Sequence, residues 1–583
     1  MALPNNLKRY FPVLEWLPKY NRHMLWYDAI AAVVVTLLLV PQGLAYGLLA
    51  GMPPETGLYA SMLPLVVYAI FGTSRTLAVG PFAVVSMMTA AALGQVAVQG
   101  ELGYVTAAVT LASLSGVILI AMGLMRLGFL VNFLSHPVIT GFISASGILI
   151  GASQLEHLLG IDIQGQTLIE LGRSLWESAT DIHSMTFLIG GSTLVLLLLL
   201  RRYLKRGLLA AGLPQLPADL ISKGGPVIAV TIMTVISAQW QLDRQGVAVV
   251  GEIPSGLPAL AMPVLSWDLV SSLWASALII SIIGFVESVS MAQTLASRRR
   301  ERIEPDQELI GLGSANLASA FSGSFPVAAS LSRSVVNSEA GAVTPAAGLL
   351  TAIGIGIATM YLASVLYYLP LAVLAATIIV AVTSLIQVKT MLPTWRYSRY
   401  DGMTMLVAFV LTLLAGVTVG LLSGVALSLL LYLYRTSRPH SALVGRVPGS
   451  EHFRNINRHD VETDPAVAVL RVDESLYFAN ARFLEDTVAT VVSENKSLCH
   501  LVLMCPAVNH IDASALESLE AIQERLGEAG ITLHMAEVKG PVMDRLRGTA
   551  FLEHLQGQVF LSTYEAWTTL SADWKPEPIP APR

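Results

Sequence analysis

Apolar runs, several of them reaching the ~20 residues needed to cross a bilayer, follow one another from Tyr27 to Tyr434, separated by short polar turns. The first starts near Tyr27 and continues through AIAAVVVTLLLVPQGLAYGLLA, with Pro41-Gln42 expected to interrupt it. Others cover Gly57 to Phe71, Val105 to Met125, Phe129 to Ala152, Met185 to Leu200 and Gly224 to Ala238. The next begin near Leu269 and Leu309, and Thr344 to Leu366, Leu371 to Gln387, Met403 to Gly416 and Val419 to Tyr434 close the series. Two more segments are broken. TLAV meets Gly80-Pro81 before a helical run from Phe82 to Val96, and Gly323 to Asn337, GSFPVAASLSRSVVN, opens with glycine, serine and proline and carries Arg333 in a helix expected to start at Pro326. The pattern predicts about fourteen membrane segments, two of them short and interrupted.

Charge placement checks this count. With Lys8, Arg9, Lys19 and Arg22 on the cytoplasmic side, the loops after even-numbered spans should be basic. Arg75, Arg126, the group Arg201, Arg202, Lys205 and Arg206, then Arg298 to Arg300 with Arg302, and Lys389, Arg396 and Arg399 fall there. Opposite loops carry Glu101, Glu156, Asp162, Glu170, Glu177, Asp181 and Glu252, with Arg173 and Arg244 breaking the pattern. An even count places both termini in the cytoplasm.

The broken segments are the third of the first seven spans and the third of the second seven. Matching interruptions in two halves point to an inverted repeat with a binding site at the bilayer midplane, where the two half-helix N-termini face one another. Backbone broken at that depth must be buried in protein or line a wet cavity, and an intramembrane charge marks function by default. Helix N-termini beside Arg333 outline an anion site. Alternatively, Arg333 snorkels to an interface and the Gly/Pro pair is a loop between spans. Glu287 lies mid-way along the eighth span, in SIIGFVESVSMAQTLAS. A carboxyl in hydrocarbon is expected to sit neutral unless paired or hydrated, which suits a proton carrier and equally a hydrogen bond to a neighbouring helix. Gln42 could donate its amide to an anion, and Tyr46 one turn later could close the cavity, or both could be ordinary helix packing.

Composition agrees with a polytopic α-helical membrane protein: 54% of residues are hydrophobic and 13% charged, and mean hydropathy is +0.64. A formal net charge of -5 without a basic, aromatic-interleaved patch argues against a nucleic-acid partner. Cys499 and Cys505 match neither a disulfide framework nor a metal site and are expected to be reduced core residues. Met1 to His23 lacks the apolar core of a cleavable signal peptide. No cluster of nucleophile, base and metal ligands suggests catalysis, a bound metal or a cofactor.

After Tyr434 the character changes. Strand-like AVAVLRV, HLVLMC and ITLHMAEV alternate with helical patterns over Ala481 to Ser493 and Ala513 to Ala529, which reads as a compact α/β domain. The expected organisation is a cytoplasmic N-terminal segment at 1–26, a transporter domain at 27–436 with repeats at 27–240 and 266–436, a linker at 437–466, the α/β domain at 467–570 and a disordered tail at 571–583. Asp512 or Ser514 would cap the helix that follows.

VPQGLAYGLLAG, TLAVGPFAVVS, FLVNFLSHPVITGF, FVESVSMAQTLA and FPVAASLSRSVVN, in this order, resemble the typical stretches of the SulP sulfate permeases, also called solute carrier family 26, over nearly the whole chain. VNHIDASALESLEAI resembles the loop-helix signature of the STAS domain that closes those transporters on the cytoplasmic side. The resemblance implies a seven-plus-seven repeat whose core takes the first four spans of each half and whose gate takes the last three, moving against each other, usually in a homodimer. Carried over, the anion site falls on Gln42, Tyr46, Pro81, Phe82, Ala83, Ala328, Ala329, Ser330, Ser332 and Arg333. Glu287 matches the proton-coupled members. Sodium-coupled bicarbonate members have an aspartate there and a threonine one turn later, where this chain has Met291, a poor ligand for a hard cation. Ser514 matches the serine that is phosphorylated in free-standing STAS proteins. The function implied is proton-coupled uptake of an inorganic oxyanion, sulfate first, across the cell inner membrane, with a possible cytoplasmic partner for the STAS domain. Bicarbonate or C4-dicarboxylate transport, anion exchange, a channel of the same family and a membrane-anchored sensor are the alternatives.

Overall fold

The first apolar run folds as α1 (Arg22–Leu49), started by Asn21, whose Oδ1 accepts the Met24 N–H at 3.0 Å. Pro41 lies inside this helix, which runs on to Leu49, so the interruption expected at Pro41-Gln42 is not a break. The proline removes only the donor for the carbonyl four residues back, a loss that packing of the surrounding helices tolerates. In a computed structural model, the structure describes residues 10–571 apart from 95, 97–99, 134, 164, 253–255 and 264–265. Parts of the expected N-terminal segment (1–9) and tail (572–583) therefore lie outside the described residues. Contacts divide the chain into two compact units, 1–428 and 429–583.

The second apolar run is divided into α2 (Pro54–Tyr59) and α3 (Leu63–Phe71). α2 lies directly on α1 because both surfaces lack side chains where they cross: a Cβ on Gly57 would overlap the Gly43 carbonyl oxygen. β1 (Val79–Gly80), α4 (Ala83–Gly94), α5 (Gly100–Leu124), α6 (His136–Ser153), α7 (Ser184–Ala210), α8 (Gln215–Lys223) and α9 (Gly225–Trp240) complete the first half. The second half repeats the order with α10 (Trp267–Arg299), α11 (Pro305–Phe321), β2 (Ala328–Ala329), α12 (Leu331–Glu339), α13 (Ala346–Leu366), α14 (Leu371–Val382), α15 (Arg399–Ala415) and α16 (Val417–Ser437). Among the described residues six helices are long and apolar enough to cross a bilayer, and shorter apolar helices stand at other expected spans.

Packing sorts these helices into two groups. α5 packs on α10 and α11, α3 on α11 and α13, and α1 on α13, all drawn from the first four segments of each half. α6 packs on α14 and α15, and α7 on α9 and α14, from the last three. α1 also touches α9 and α14, where the groups meet. Two fully buried carboxylates lock the first group across the halves. Asp28 accepts the backbone N–H groups of Val343 and Thr344 at 2.7 and 3.1 Å and the Thr344 hydroxyl at 2.6 Å. Glu308, in the first turn of α11, accepts the Tyr68 hydroxyl at 2.7 Å and the Thr73 and Ser74 N–H groups at 2.8 and 3.0 Å. A buried carboxylate supplied with three or more donors is compensated for its lost hydration.

The second unit is an α/β fold. β3 (Ser441–Arg446), β4 (Phe453–Asn455), β5 (Val467–Val472), β6 (His500–Met504), β7 (Thr532–Ala536) and β8 (Val559–Phe560) form one sheet in the order β4-β3-β5-β6-β7-β8. β5 to β8 run parallel, and β3 is antiparallel to β4 and β5. The stretch 437–466, expected to be a linker, therefore contributes two strands. α17 (Ala481–Glu494) turns Ala481, Leu484, Val488 and Val491 to the core, and α18 (Ala513–Glu528) turns Ala515, Leu519, Ile522 and Leu526, spacings that keep one stripe buried. Cys505 is buried, which together with Glu537 pushes its thiol up to about 12, whereas Cys499 is exposed and not the core residue expected.

Gly57→Ala should force α1 and α2 apart, seen as loss of monodisperse protein on size exclusion, while Gly191→Ala, whose Cβ would meet nothing within 4 Å, should leave it intact. In the α/β unit, His534 Nδ1 accepts the Gln558 N–H at 3.1 Å, and burial and neighbouring His500 lower its pKa from 6.5 to about 4. Below 6.5 the unfolded chain takes up a proton that the folded unit refuses, so stability should fall from about pH 6.5 towards 4. Hydrogen exchange of β6 and β7 in the full chain should quicken over that window, and His534→Gln should flatten the response.

Candidate functional site

The two broken segments meet. β1 and β2 pair antiparallel, with Val79 opposite Ala329 and Gly80 opposite Ala328. Antiparallel pairing of corresponding pieces means that the halves run in opposite directions, as an inverted repeat requires. α4 starts at Ala83, just beyond Pro81 and Phe82, and α12 starts at Leu331 with Ser330 as its N-cap. The second helix thus begins at Leu331 and not at Pro326. Asn316 holds Val327 extended through both backbone groups, each at 2.9 Å, and β1 holds the two residues after it.

Side chains complete the frame. The Ser330 N–H donates to the Ala78 carbonyl at 3.1 Å, the Ala78 N–H to Ser334 Oγ at 2.9 Å, and the Ala329 N–H to Ser288 Oγ at 3.0 Å. Ser288 therefore pins α10 to β2, with Gly284 one turn earlier lying against Ala328. Glu287, the next residue to Ser288, is carried by the same turn.

Arg333 is fully buried in the first turn of α12. Its Nη2 donates to the Pro81 carbonyl at 2.7 Å, across to the other half, while Nε and Nη1 are buried with no hydrogen-bond partner among the described residues. Two helix N-termini, each equivalent to roughly +0.5 charge, converge with a guanidinium at this point. Buried like charges with idle donors are costly unless an anion or ordered water answers them, so the arrangement can receive negative charge. This excludes the alternative of an arginine reaching out to an interface.

The expected residues fall into place unevenly. Pro81, Phe82, Ala83, Ala328, Ala329 and Ser330 form the junction itself and are buried. Ser332 is exposed, with Oγ 3.3 Å from that of Ser330, one position before the buried arginine. Tyr46 is buried, within electrostatic reach of Arg333, and shares a core cluster with Ala83. Gln42 Oε1 and Glu287 Oε2 are buried without partners among the described residues, as is Ser86 Oγ in the first turns of α4. Ser86, Ser288, Ser334 and Asn316 were not anticipated. The signal for Ser288 and Ser334 was a hydroxyl beside each intramembrane charge, in VESV and SRSV. Ser514 is exposed at the second position of α18, and Asp512 is the cap, its Oδ1 accepting the Ala515 N–H at 2.9 Å.

The sequence profile described as the sulfate permease family matches residues 25–408, and the STAS domain profile matches 458–566. Sulfate transporter 4.1, chloroplastic, of Arabidopsis thaliana is 34% identical over 546 residues, covering 91% of this chain and 78% of its own. Probable sulfate transporter Rv1739c of Mycobacterium tuberculosis is 33% identical over 548 residues, covering 93% and 95%. Among solved structures, SLC26A9 superposes with a TM-score of 0.87 at 23% identity over 97% of this chain and 93% of its own. The transmembrane domain of a cyanobacterium bicarbonate transporter, BicA, gives 0.58 at 22% over 70% and 98%. At these identities the structures show a shared fold.

Arg333→Ala should raise the substrate concentration needed for half-maximal uptake by about tenfold or more, the value of one or two charge-assisted hydrogen bonds. Arg333→Lys, which keeps the charge and loses the fork, should fall between the two in the same uptake assay.

Proposed function

The chain belongs to the sulfate permease family and ends in a STAS domain, and on that premise we propose that it is a secondary active transporter that takes up sulfate together with protons. The observation that carries the reading is Arg333, buried with two idle donors where the N-termini of α4 and α12 meet. An oxyanion entering this cavity loses part of its hydration, a cost of several kcal/mol per ion in a real protein interior. Arg333, the half-helix N–H groups and the Ser330 hydroxyl offset it. Names of the similar sequences favour sulfate among the oxyanions. Gln42 and Tyr46 on α1 contribute an amide and a ring on the side facing the two half-helices.

Glu287 supplies the coupling. Protonated, it adds no negative charge; ionised, it would repel a dianion, so proton and sulfate favour each other's binding to the extent that Glu287 lies close to the anion. Buried Met291 at the position one turn later offers no hard ligand, which favours protons over sodium. Cargo crosses when the helices of the first group, carrying the site, shift as a body against the second group, an elevator-like alternation of access. The protein works in the cell inner membrane with both termini in the cytoplasm, as a homodimer. Ser514, exposed beside a helix N-terminus, is a phosphorylation site of the STAS domain.

Radiolabelled sulfate uptake into proteoliposomes, inside neutral and outside acid, tests the coupling. Wild-type uptake should saturate and collapse with a protonophore, and Glu287→Gln should transport with its pH dependence gone. Sulfate flux in wild type that ignores the protonophore overturns proton coupling. Flux of bicarbonate, fumarate or chloride in place of sulfate overturns the substrate assignment.

A further inference from the structure

The α/β unit carries a basic cavity that the transport site does not use. His440, Arg454, Asn455, Arg458, His459 and Arg471 line a space of about 350 Å³ at the β3–β4 edge of the sheet. No acidic residue is among them. Asp473 lies behind, gripping Arg471 through two hydrogen bonds at 2.6 and 2.9 Å and meeting His440 Nδ1 at 2.7 Å. Burial pushes the Asp473 carboxyl up, but the hydrogen bonds from Arg471 and His440 outweigh it and hold it below the usual carboxylate range. One acid thus orients two of the lining groups. The side chains of Arg454, Arg458 and His459 have no hydrogen-bond or ion-pair partner among the described residues.

Backbone geometry holds these cations together. Arg454 sits on β4 opposite Gly445 of β3, which has no side chain to crowd it. The Asn455 carbonyl accepts the N–H groups of Arg458 and His459 at 3.0 and 3.1 Å, and its side chain accepts the Asn457 N–H at 2.8 Å. That turn folds Arg458 and His459 back beside Arg454. Three arginines answered by a single acid around a concavity leave an excess of positive charge that a bound anion would neutralise.

We propose that this cavity is a second anion site, one that takes a phosphate group through the Arg454 and Arg458 forks with His459 beside them. The space exceeds a bare phosphate and admits part of the molecule that carries it. Two sources share this chemistry: a soluble phosphorylated compound and an anionic lipid headgroup. The second is within reach because His440 follows the last residue of α16, Ser437, by a stretch of chain no longer than about 10 Å.

Equilibrium binding of radiolabelled inorganic phosphate to the full-length protein at low ionic strength tests the site. The protein is held in nanodiscs of phosphatidylcholine alone or with added phosphatidic acid. Phosphate binding that persists in Arg333→Ala and weakens by about tenfold or more in Arg454→Ala/Arg458→Ala supports the site. Displacement of that phosphate by phosphatidic acid assigns it to a lipid, and indifference to the lipid assigns it to a soluble ligand. The double variant replaces exposed side chains, and an unchanged melting temperature, with Arg454→Gln/Arg458→Gln as a second form, shows that it folds. Binding equal in wild type and both double variants, binding lost only in Arg333→Ala, or no saturable binding in either lipid overturns the proposal.

Discussion

Two pairs of residues, Val79 with Ala329 and Gly80 with Ala328, are the contact on which the membrane unit depends. Inside a bilayer every backbone polar group needs a partner, and a segment that leaves the helix loses the one it had. The broken segments solve this for each other. Each supplies the strand that the other lacks, and serines on α10 and α12 answer amide groups nearby. The pairing therefore fixes where α4 and α12 begin, and their N-termini come together because neither helix can start anywhere else.

Concentrating positive charge there is tolerable only in a stiff surround. Arg333 is held by the carbonyl of Pro81 from the opposite half, so the charge cannot drift away from the junction. Asp28 and Glu308 each reach across to close a turn of the other half. The helices that carry the site are thereby cross-tied at several points, while α1 meets the second group through apolar contact with α9 and α14. Hydrogen bonds resist sliding because their geometry is directional, whereas apolar faces can slip past one another at smaller cost. That contrast suits a body that moves as one.

Much of this was legible in the chain. Runs of apolar residues gave the order of the segments, and Gly80-Pro81 and the GSFP stretch marked the breaks, because proline and glycine at membrane depth are hard to explain otherwise. Arg333 stood out as an intramembrane charge, and its burial removed the alternative of an interface that the sequence had left open. Pro41 misled, since proline inside a long helix costs one hydrogen bond and the packed neighbours of α1 absorb it. Pro326 misled in the opposite way: it suits a helix start, but Asn316 competes for the backbone at Val327. Asp28 and Glu308 went unremarked because acids at the ends of apolar runs look interfacial until the fold shows what they hold. The strands β3 and β4 were hidden by their arginines, which blur the alternation at 441–446 and 453–455.

The junction of β1 and β2 has a consequence for how the protein is made. Arg333 and the carbonyl it binds are 252 positions apart in the chain. During synthesis the first half enters the membrane with β1 unpaired and without the arginine that will bind the Pro81 carbonyl. Only when the tenth segment is inserted do both half-helices, the charge and the strand partner arrive together. A truncated or stalled chain then leaves β1 without its strand partner, an edge of backbone polar groups that a bilayer cannot satisfy.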